Sequence, residues 1–320
     1  MDKIIEWLSE GDISIQYQTR KYLMKESLEQ RVPLRRRISE EGWGAEFISK
    51  RNPSGHWSRE FYQVKWVNSH YTLLDLRYLE IEPVQPIIET LNIILDKCKA
   101  SDGSINESHT LKSGDICING MFLNYASFFG IPEYKLESVV DFLLQHQMAD
   151  GGFNCMSTRS GAVHSSMHTT ISVLEGIWEF MKAGYTYRLD ELVRIKKESE
   201  EFLLCHRLYK SDKTDEIIDK RWTTLSFPSR WRYDILRALL YFADSNYPYD
   251  SRMEDAVQIL VSKRKKTGRW PVQAKHSGEV HFDMESTGKE SRWNTLRALR
   301  VLKEYNHDEL KEIEQHGISK

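Results

Sequence analysis

A carboxylate, a thiol and an imidazole open two successive apolar segments of this chain. Asp115 and Cys117 begin one segment, and His168 begins the next. These are side chains that zinc takes as ligands, and a catalytic zinc site usually has three protein ligands and an open fourth position. A zinc-bound thiol is deprotonated and stays nucleophilic near neutral pH, whereas a bound water is acidified. The set therefore predicts zinc chemistry, either group transfer to a thiol or hydrolysis.

The same three residues also have readings without metal. Asp115 can cap the helix that follows it, because aspartate is a favoured N-cap residue. Cys117 can be a small buried apolar side chain, which is the commonest role of a free cysteine. His168 can be hydrogen-bonded within a polar cavity rim. Both interpretations stay open at the level of the sequence.

The segments that carry these residues belong to a repeat. Six stretches show the helical apolar period with little surface charge, and amphipathic helices lie between them. We expect the apolar helices to be inner and the amphipathic ones outer, in about six pairs within one all-α domain over residues 1–320. Such pairs close into an α/α-toroid, with an open solenoid as the competing architecture. The six predicted inner stretches are 15–23, 70–76, 117–126, 168–175, 234–240 and 294–299.

Long loops precede the inner helices, and short ones follow them. Loops of this length in a compact domain are usually functional, and helix N-termini attract anions. Three of the long loops carry a glycine followed by an aromatic residue. The glycine permits a turn with positive φ, and the aromatic ring is expected to fill the gap between helical hairpins. The three copies are Gly55 with Trp57, Gly151 with Phe153, and Gly268 with Trp270.

The segment 147–153, Gln-Met-Ala-Asp-Gly-Gly-Phe, resembles the repeat of the prenyltransferase and squalene-cyclase superfamily. The resemblance implies an α/α-toroid fold. Asp115, Cys117 and His168 are similar to the zinc ligands of protein prenyltransferase β subunits, and Lys112 lies at the offset of the lysine that holds the diphosphate there. The Asp-x-Asp-Asp run of squalene-type cyclases is missing from this sequence, which disfavours that reaction.

Further candidates lie at or near the starts of the inner stretches, except Glu175, which lies deeper on its predicted inner helix. For substrate binding we name Lys112, His70, Arg230, Trp231 and Arg232, and for catalysis Glu175 and Asp234. The first hypothesis is an enzyme, with zinc as cofactor, that acts on an isoprenoid or other apolar substrate in a central funnel. The second is a carbohydrate-active (α/α)6 enzyme with two opposed carboxylates. The third is a non-catalytic lipid-binding or interaction protein.

The overall composition favours a cytoplasmic protein. The 45 lysines and arginines nearly balance the 47 aspartates and glutamates, so no global field favours nucleic acid. The N-terminal residues are too charged for a signal peptide, and no apolar run approaches the roughly 18 residues of a membrane span. Four scattered cysteines show no disulfide framework, and we expect reduced thiols. The oligomeric state is left open.

Overall fold

The computed structural model describes residues 1–106, 108, 113–305 and 307. These residues form fourteen α-helices and no β-strand, which confirms the all-α prediction. None of the described helices has the length and apolar content that crossing a bilayer requires.

Six helices, called the inner helices here, correspond to the six predicted apolar stretches. They are α2 (Ile13–Gln18), α5 (Ser69–Tyr78), α7 (Ile116–Phe128), α10 (Met167–Lys182), α12 (Ile235–Asp244) and α14 (Arg292–Glu304). A π-helical turn over Thr19–Leu23 continues α2. The difference in burial from the other helices is large, since α7 buries eleven of its thirteen residues. The equally long helix Glu133–Gln145 buries five of thirteen.

Six amphipathic helices, called the outer helices, precede the inner ones in sequence. They are α1 (Asp2–Ser9), α4 (Gly42–Ser49), α6 (Gln85–Lys97), α8 (Glu133–Gln145), α11 (Leu189–Cys205) and α13 (Glu254–Ser262). Two helices stand outside the alternation, α3 (Leu28–Arg37) and the short α9 (Met156–Ser160). The predicted alternation of outer and inner helices is therefore present along the described chain.

The inner helices contact one another in a closed series. Helix α5 packs on α7, α7 on α10, α12 on α14, and α14 on α2. An ion pair between Arg237 and Glu175 joins α12 to α10. The side-chain amide of Gln18 donates to the Tyr78 carbonyl at 2.7 Å, which joins α2 to α5. The closest approach is between α7 and α10, where a methyl group on Gly120 would lie 2.7 Å from the Ser172 carbonyl oxygen.

Each of the three glycine-aromatic loops connects an outer helix to the inner helix after it. Trp57, Phe153 and Trp270 are fully buried. Their backbone N–H groups donate to a hydroxyl in the first turn of the next inner helix, at 3.1 Å to Ser69, 3.0 Å to Thr170 and 2.9 Å to Thr295. The preceding glycines have φ between 81° and 91°. These contacts bring the end of the outer helix against the start of the inner one.

Candidate functional site

Asp115 and Cys117 lie at the start of α7, as the sequence predicts, but each has a partner other than a metal ligand. Asp115 occupies the N-cap position without a capping hydrogen bond. It pairs instead with Arg159 at 2.5 Å. Burial raises the pKa of the Asp115 carboxyl, and Arg159 opposes that rise. The backbone N–H of Cys117 donates to Sγ of Cys155 at 3.1 Å.

His168 begins α10 and faces a different set of residues. Its Nδ1 accepts the backbone N–H of Tyr233 at 2.7 Å, so the neutral ring carries its proton on Nε2. The ring meets Trp231 edge to face, with centroids 5.0 Å apart. Burial, with the nearby Arg237 and Arg232, lowers the pKa of His168 to about 4. A metal on Nε2 would displace the proton from that nitrogen. Nδ1 would then carry the proton and lose this hydrogen bond, or the ring would have to be an imidazolate without any N–H.

The predicted zinc set does not fit a metal site in this arrangement. Within the described ranges, no three His, Cys, Asp or Glu side chains are close enough to hold one ion. The carboxylate has an arginine partner, and the imidazole faces an aromatic pocket. No step of a reaction is derived through zinc, and zinc binding stays a prediction. Lys112 lies outside the described residues.

Some of the predicted substrate-binding residues are buried in the protein interior, and others lie near His168. Arg230 is buried and forms an ion pair with Asp75 of α5. His70 is fully buried, its Nδ1 lies 3.0 Å from the Tyr125 hydroxyl, and burial lowers its pKa to about 3. The Arg232 guanidinium lies over the Trp231 ring, 4.9 Å from its centroid. Arg230 and His70 therefore make contacts with other buried side chains.

A cavity of about 130 Å³ lies at the end where the inner helices begin. His168, Arg232 and Trp222 line it, together with His276 from the long loop before α14. This is the end at which the sequence predicts an anion-binding mouth. The cavity is small for a substrate, because ligand pockets usually enclose about 300–1,000 Å³.

A larger cavity of about 340 Å³, called the central cavity, lies between the inner helices, mainly against their C-terminal halves. All six inner helices, or the turns that directly follow them, contribute to its wall. Its charged residues are Lys21, Arg77, Glu80, Glu175, Glu179, Lys182, Arg237, Asp244, Arg297 and Arg300. Its aromatic residues are Tyr22, Tyr78, Phe128, Trp178, Phe227, Tyr241 and Trp293. The central cavity thus has a charged wall with aromatic patches.

Every carboxylate that the structure describes in this wall has a cationic partner. Glu175 receives both Nε and Nη2 of Arg237, at 2.9 and 2.7 Å. Glu179 is shared by Arg77 and Lys182. The two other pairs are Lys21 with Glu80, and Arg300 with Asp244. Six cations against four carboxylates leave the described wall with a surplus of two positive charges.

The ion pairs keep two of these carboxylates, Glu80 and Glu179, ionised. Burial alone would raise the pKa of Glu80, but Lys21 and Arg300 outweigh it and hold the pKa at about 2. Burial likewise opposes ionisation of Glu179, and Arg77 and Lys182 lower its pKa below the usual value. Neither group can supply a proton at neutral pH.

Arg297 is the exception among the cations of the wall. Only 7% of it is exposed, and it forms no hydrogen bond or ion pair with any residue that the structure describes. Burial lowers the pKa of its guanidinium, and Asp234 and Glu175 act on it only through their field. An arginine keeps its charge in proteins. The central cavity therefore contains a buried cation that has no hydrogen-bond partner among the residues described.

The two residues predicted to be catalytic have structural partners. Asp234 caps α12 by accepting the backbone N–H of Arg237 at 2.8 Å. It is buried, and burial raises its pKa. Glu175 lines the central cavity but is held by Arg237, with the Tyr78 hydroxyl 3.3 Å away. Only Glu175 of this pair faces the central cavity.

Sequence reasoning missed Arg297 and the other cations of the central cavity. A signal for them exists, since Arg77, Arg237, Arg297 and Arg300 are charged residues inside the inner helices. Buried arginines are rare without a partner or a function. Which of them has no carboxylate partner cannot be seen from the sequence.

No protein-family model matches this chain, and no curated protein matches its sequence.

Proposed function

We propose that the six helical hairpins close into an α/α-toroid whose central cavity binds a small organic anion. The closed series of contacts among the inner helices supports the ring. The proposal of an anionic ligand rests on the guanidinium of Arg297, which is buried in the cavity wall without a partner among the described residues. A phosphate or carboxylate would give it a charge-assisted, bidentate partner inside a site with surplus positive charge.

The aromatic part of the wall indicates the rest of the ligand. Trp178, Phe227 and Trp293 offer apolar faces beside the charged groups. A ligand with an anionic head and an apolar body satisfies both parts of the wall. An isoprenoid diphosphate is one member of this class, which retains the substrate expected from the sequence but places its head group on Arg297.

A wholly apolar substrate fits this wall less well. It would cover the Arg297 guanidinium, which has no partner among the described residues, without offering it a hydrogen bond. Covering a charged or polar group with apolar matter costs free energy unless the group is paired. The charge on the wall thus favours an amphiphilic anion over a hydrocarbon.

The carbohydrate-active alternative requires a carboxylic acid that can donate a proton. Glu80 and Glu179 have lowered pKa values, and Glu175 is held by a bidentate arginine. Asp244 pairs with Arg300 at 2.5 Å. Since these are the acidic residues described in the wall, the geometry favours anion binding over glycoside hydrolysis.

Thermal unfolding with three probes tests the proposal. Inorganic pyrophosphate and an isoprenoid diphosphate should raise the melting temperature, and the matching isoprenoid alcohol should not. A ligand at a hundred times its Kd adds about 2.7 kcal/mol to the free energy of unfolding. For 320 residues this corresponds to a rise of about 4 °C.

The variant Arg297→Met should lose the response to both diphosphates. Arg232→Met is the matched control, because it removes an arginine from the smaller cavity at the other end of the inner helices. Equal responses of wild type and Arg297→Met would contradict the proposal. The proposal would also be contradicted if Arg232→Met abolished the rise in melting temperature and Arg297→Met did not.

A further inference from the structure

Two of the four cysteines lie against each other although 38 residues separate them in sequence. Cys117 is the second residue of α7, and Cys155 directly precedes the short helix α9 in a long loop. Both side chains are partly exposed, and both are free thiols. The pair does not border the central cavity, and none of the functions discussed above uses it as a pair.

Two hydrogen-bond donors converge on the sulfur of Cys155. The backbone N–H of Cys117 donates at 3.1 Å, and the Thr169 hydroxyl donates at 3.5 Å. The first of them is a free N–H of the first turn of α7, where the helix dipole favours negative charge. The site therefore favours a thiolate at Cys155, with Cys117 directly beside it.

We propose that Cys117 and Cys155 form a reactive dithiol that reduces low-molecular-weight disulfides. The Cys155 thiolate attacks one sulfur of the small disulfide, forms a mixed disulfide and releases one small thiolate. Cys117 then gives up its proton and attacks Sγ of Cys155, which forms the 117–155 disulfide and releases the second small thiolate. The two protein thiols lose two electrons, and the small disulfide gains them as two thiols.

This order of attack follows from the direction of the hydrogen bonds. A thiolate is the attacking species in disulfide exchange, and donors around a sulfur favour it. The sulfur of Cys155 accepts from the Cys117 backbone N–H and from the Thr169 hydroxyl, so Cys155 is the nucleophile and Cys117 the resolving thiol. Oxidation would tie the start of α7 to the loop that precedes α10.

Cys205 provides an internal control. It is the exposed cysteine, and its thiol donates to Glu201 at 3.2 Å, an arrangement that disfavours its thiolate. If exposure alone set reactivity, Cys205 would react first. We expect Cys155 to react roughly tenfold faster than Cys205 in the folded protein.

The experiment treats the folded chain with oxidised glutathione as the probe and maps the products by mass spectrometry without reduction. Wild type should yield a peptide pair joined through residues 117 and 155, with Cys205 still reduced. Cys117→Ser should stop at a glutathione adduct on Cys155. In Cys155→Ser, Cys117 should stay unmodified over the same time.

Thermal unfolding of both serine variants checks that they are folded. Wild type in denaturant gives the rates at which the cysteines of the unfolded chain react with oxidised glutathione. In denaturant the preference for Cys155 over Cys205 should disappear. The proposal is overturned if folded wild type reacts first at Cys205 and forms no 117–155 link. It is also overturned if Cys155 reacts equally fast in the folded and unfolded chains.

Discussion

Replacing the unpartnered arginine of the central cavity should stabilise the protein while it removes ligand binding. Arg297 is 93% buried without a hydrogen-bond partner among the described residues, so the folded state bears the cost of its desolvation. Methionine has a similar length and no charge. Arg297→Met therefore relieves that cost. Arg237→Met has the opposite effect, because it leaves the carboxylate of Glu175 without its bidentate partner.

The two variants should differ in sign and by several kcal/mol. Removing one partner of a buried ion pair costs about 3–5 kcal/mol. Removing a buried charge that has no contact partner should gain about 1–3 kcal/mol, and the lost field on Asp234 limits this gain. For 320 residues, 1 kcal/mol corresponds to about 1.5 °C in melting temperature. We expect a rise of about 2–4 °C for Arg297→Met and a fall of about 5–7 °C for Arg237→Met.

Differential scanning calorimetry without added anions, in a buffer free of phosphate and carboxylate, measures both values. Urea unfolding gives the same comparison as free energies at constant temperature. If Arg297→Met lowers the free energy of unfolding as much as Arg237→Met does, then Arg297 has a stabilising partner in the protein itself. That result would refute the inference that its charge is kept for a ligand.

Three further predictions concern the fold that positions the cavity. Gly176→Ala should lower the free energy of unfolding by about 1–3 kcal/mol, because its methyl group would meet the backbone of α7 at the contact between α7 and α10. If urea unfolding shows no such loss, the two helices can move apart. Thr170→Val should lower the free energy of unfolding by about 1–3 kcal/mol, because it leaves the buried N–H of Phe153 without an acceptor. Thr170→Ser keeps the hydroxyl and should change the free energy of unfolding little in the same assay. Glu80 has a folded pKa of about 2, below its usual 4.5, so its stabilisation is complete above about pH 4.5 and is lost as the pH falls toward 2. The difference in free energy of unfolding between wild type and Glu80→Gln should thus shrink by about 3 kcal/mol over that range, and a difference independent of pH would show that Glu80 is not ionised in the fold.

The inner helices could be predicted because burial on all sides leaves a direct mark on composition. The stretch 117–126 contains no charged residue over ten positions, and the structure buries nearly all of it in α7. Helices with weaker patterns were not predicted individually. Helix α3 contains four arginines and a proline and buries only Leu34, so its apolar period is faint. Its position depends on tertiary contacts such as the hydrogen bond from Arg35 to the Glu80 carbonyl, 3.0 Å long.

The candidate site could be predicted only in part, because its geometry depends on pairings over long sequence distances. Arg230 and Arg232 are two residues apart in the sequence, yet one is buried against Asp75 and the other lies over Trp231. Likewise, nothing local distinguishes Arg237, which pairs with Glu175 from 62 residues away, from the unpartnered Arg297. Residue type and spacing indicate which groups reach the interior, and only the fold decides which charges neutralise one another.

The most direct test of the central claim is a crystal structure of the protein soaked with an isoprenoid diphosphate. We expect the diphosphate in the central cavity, with its oxygens in contact with the Arg297 guanidinium and its apolar chain against Trp178, Phe227 or Trp293. A diphosphate bound instead at the starts of the inner helices, beside Arg232 and His168, would contradict it.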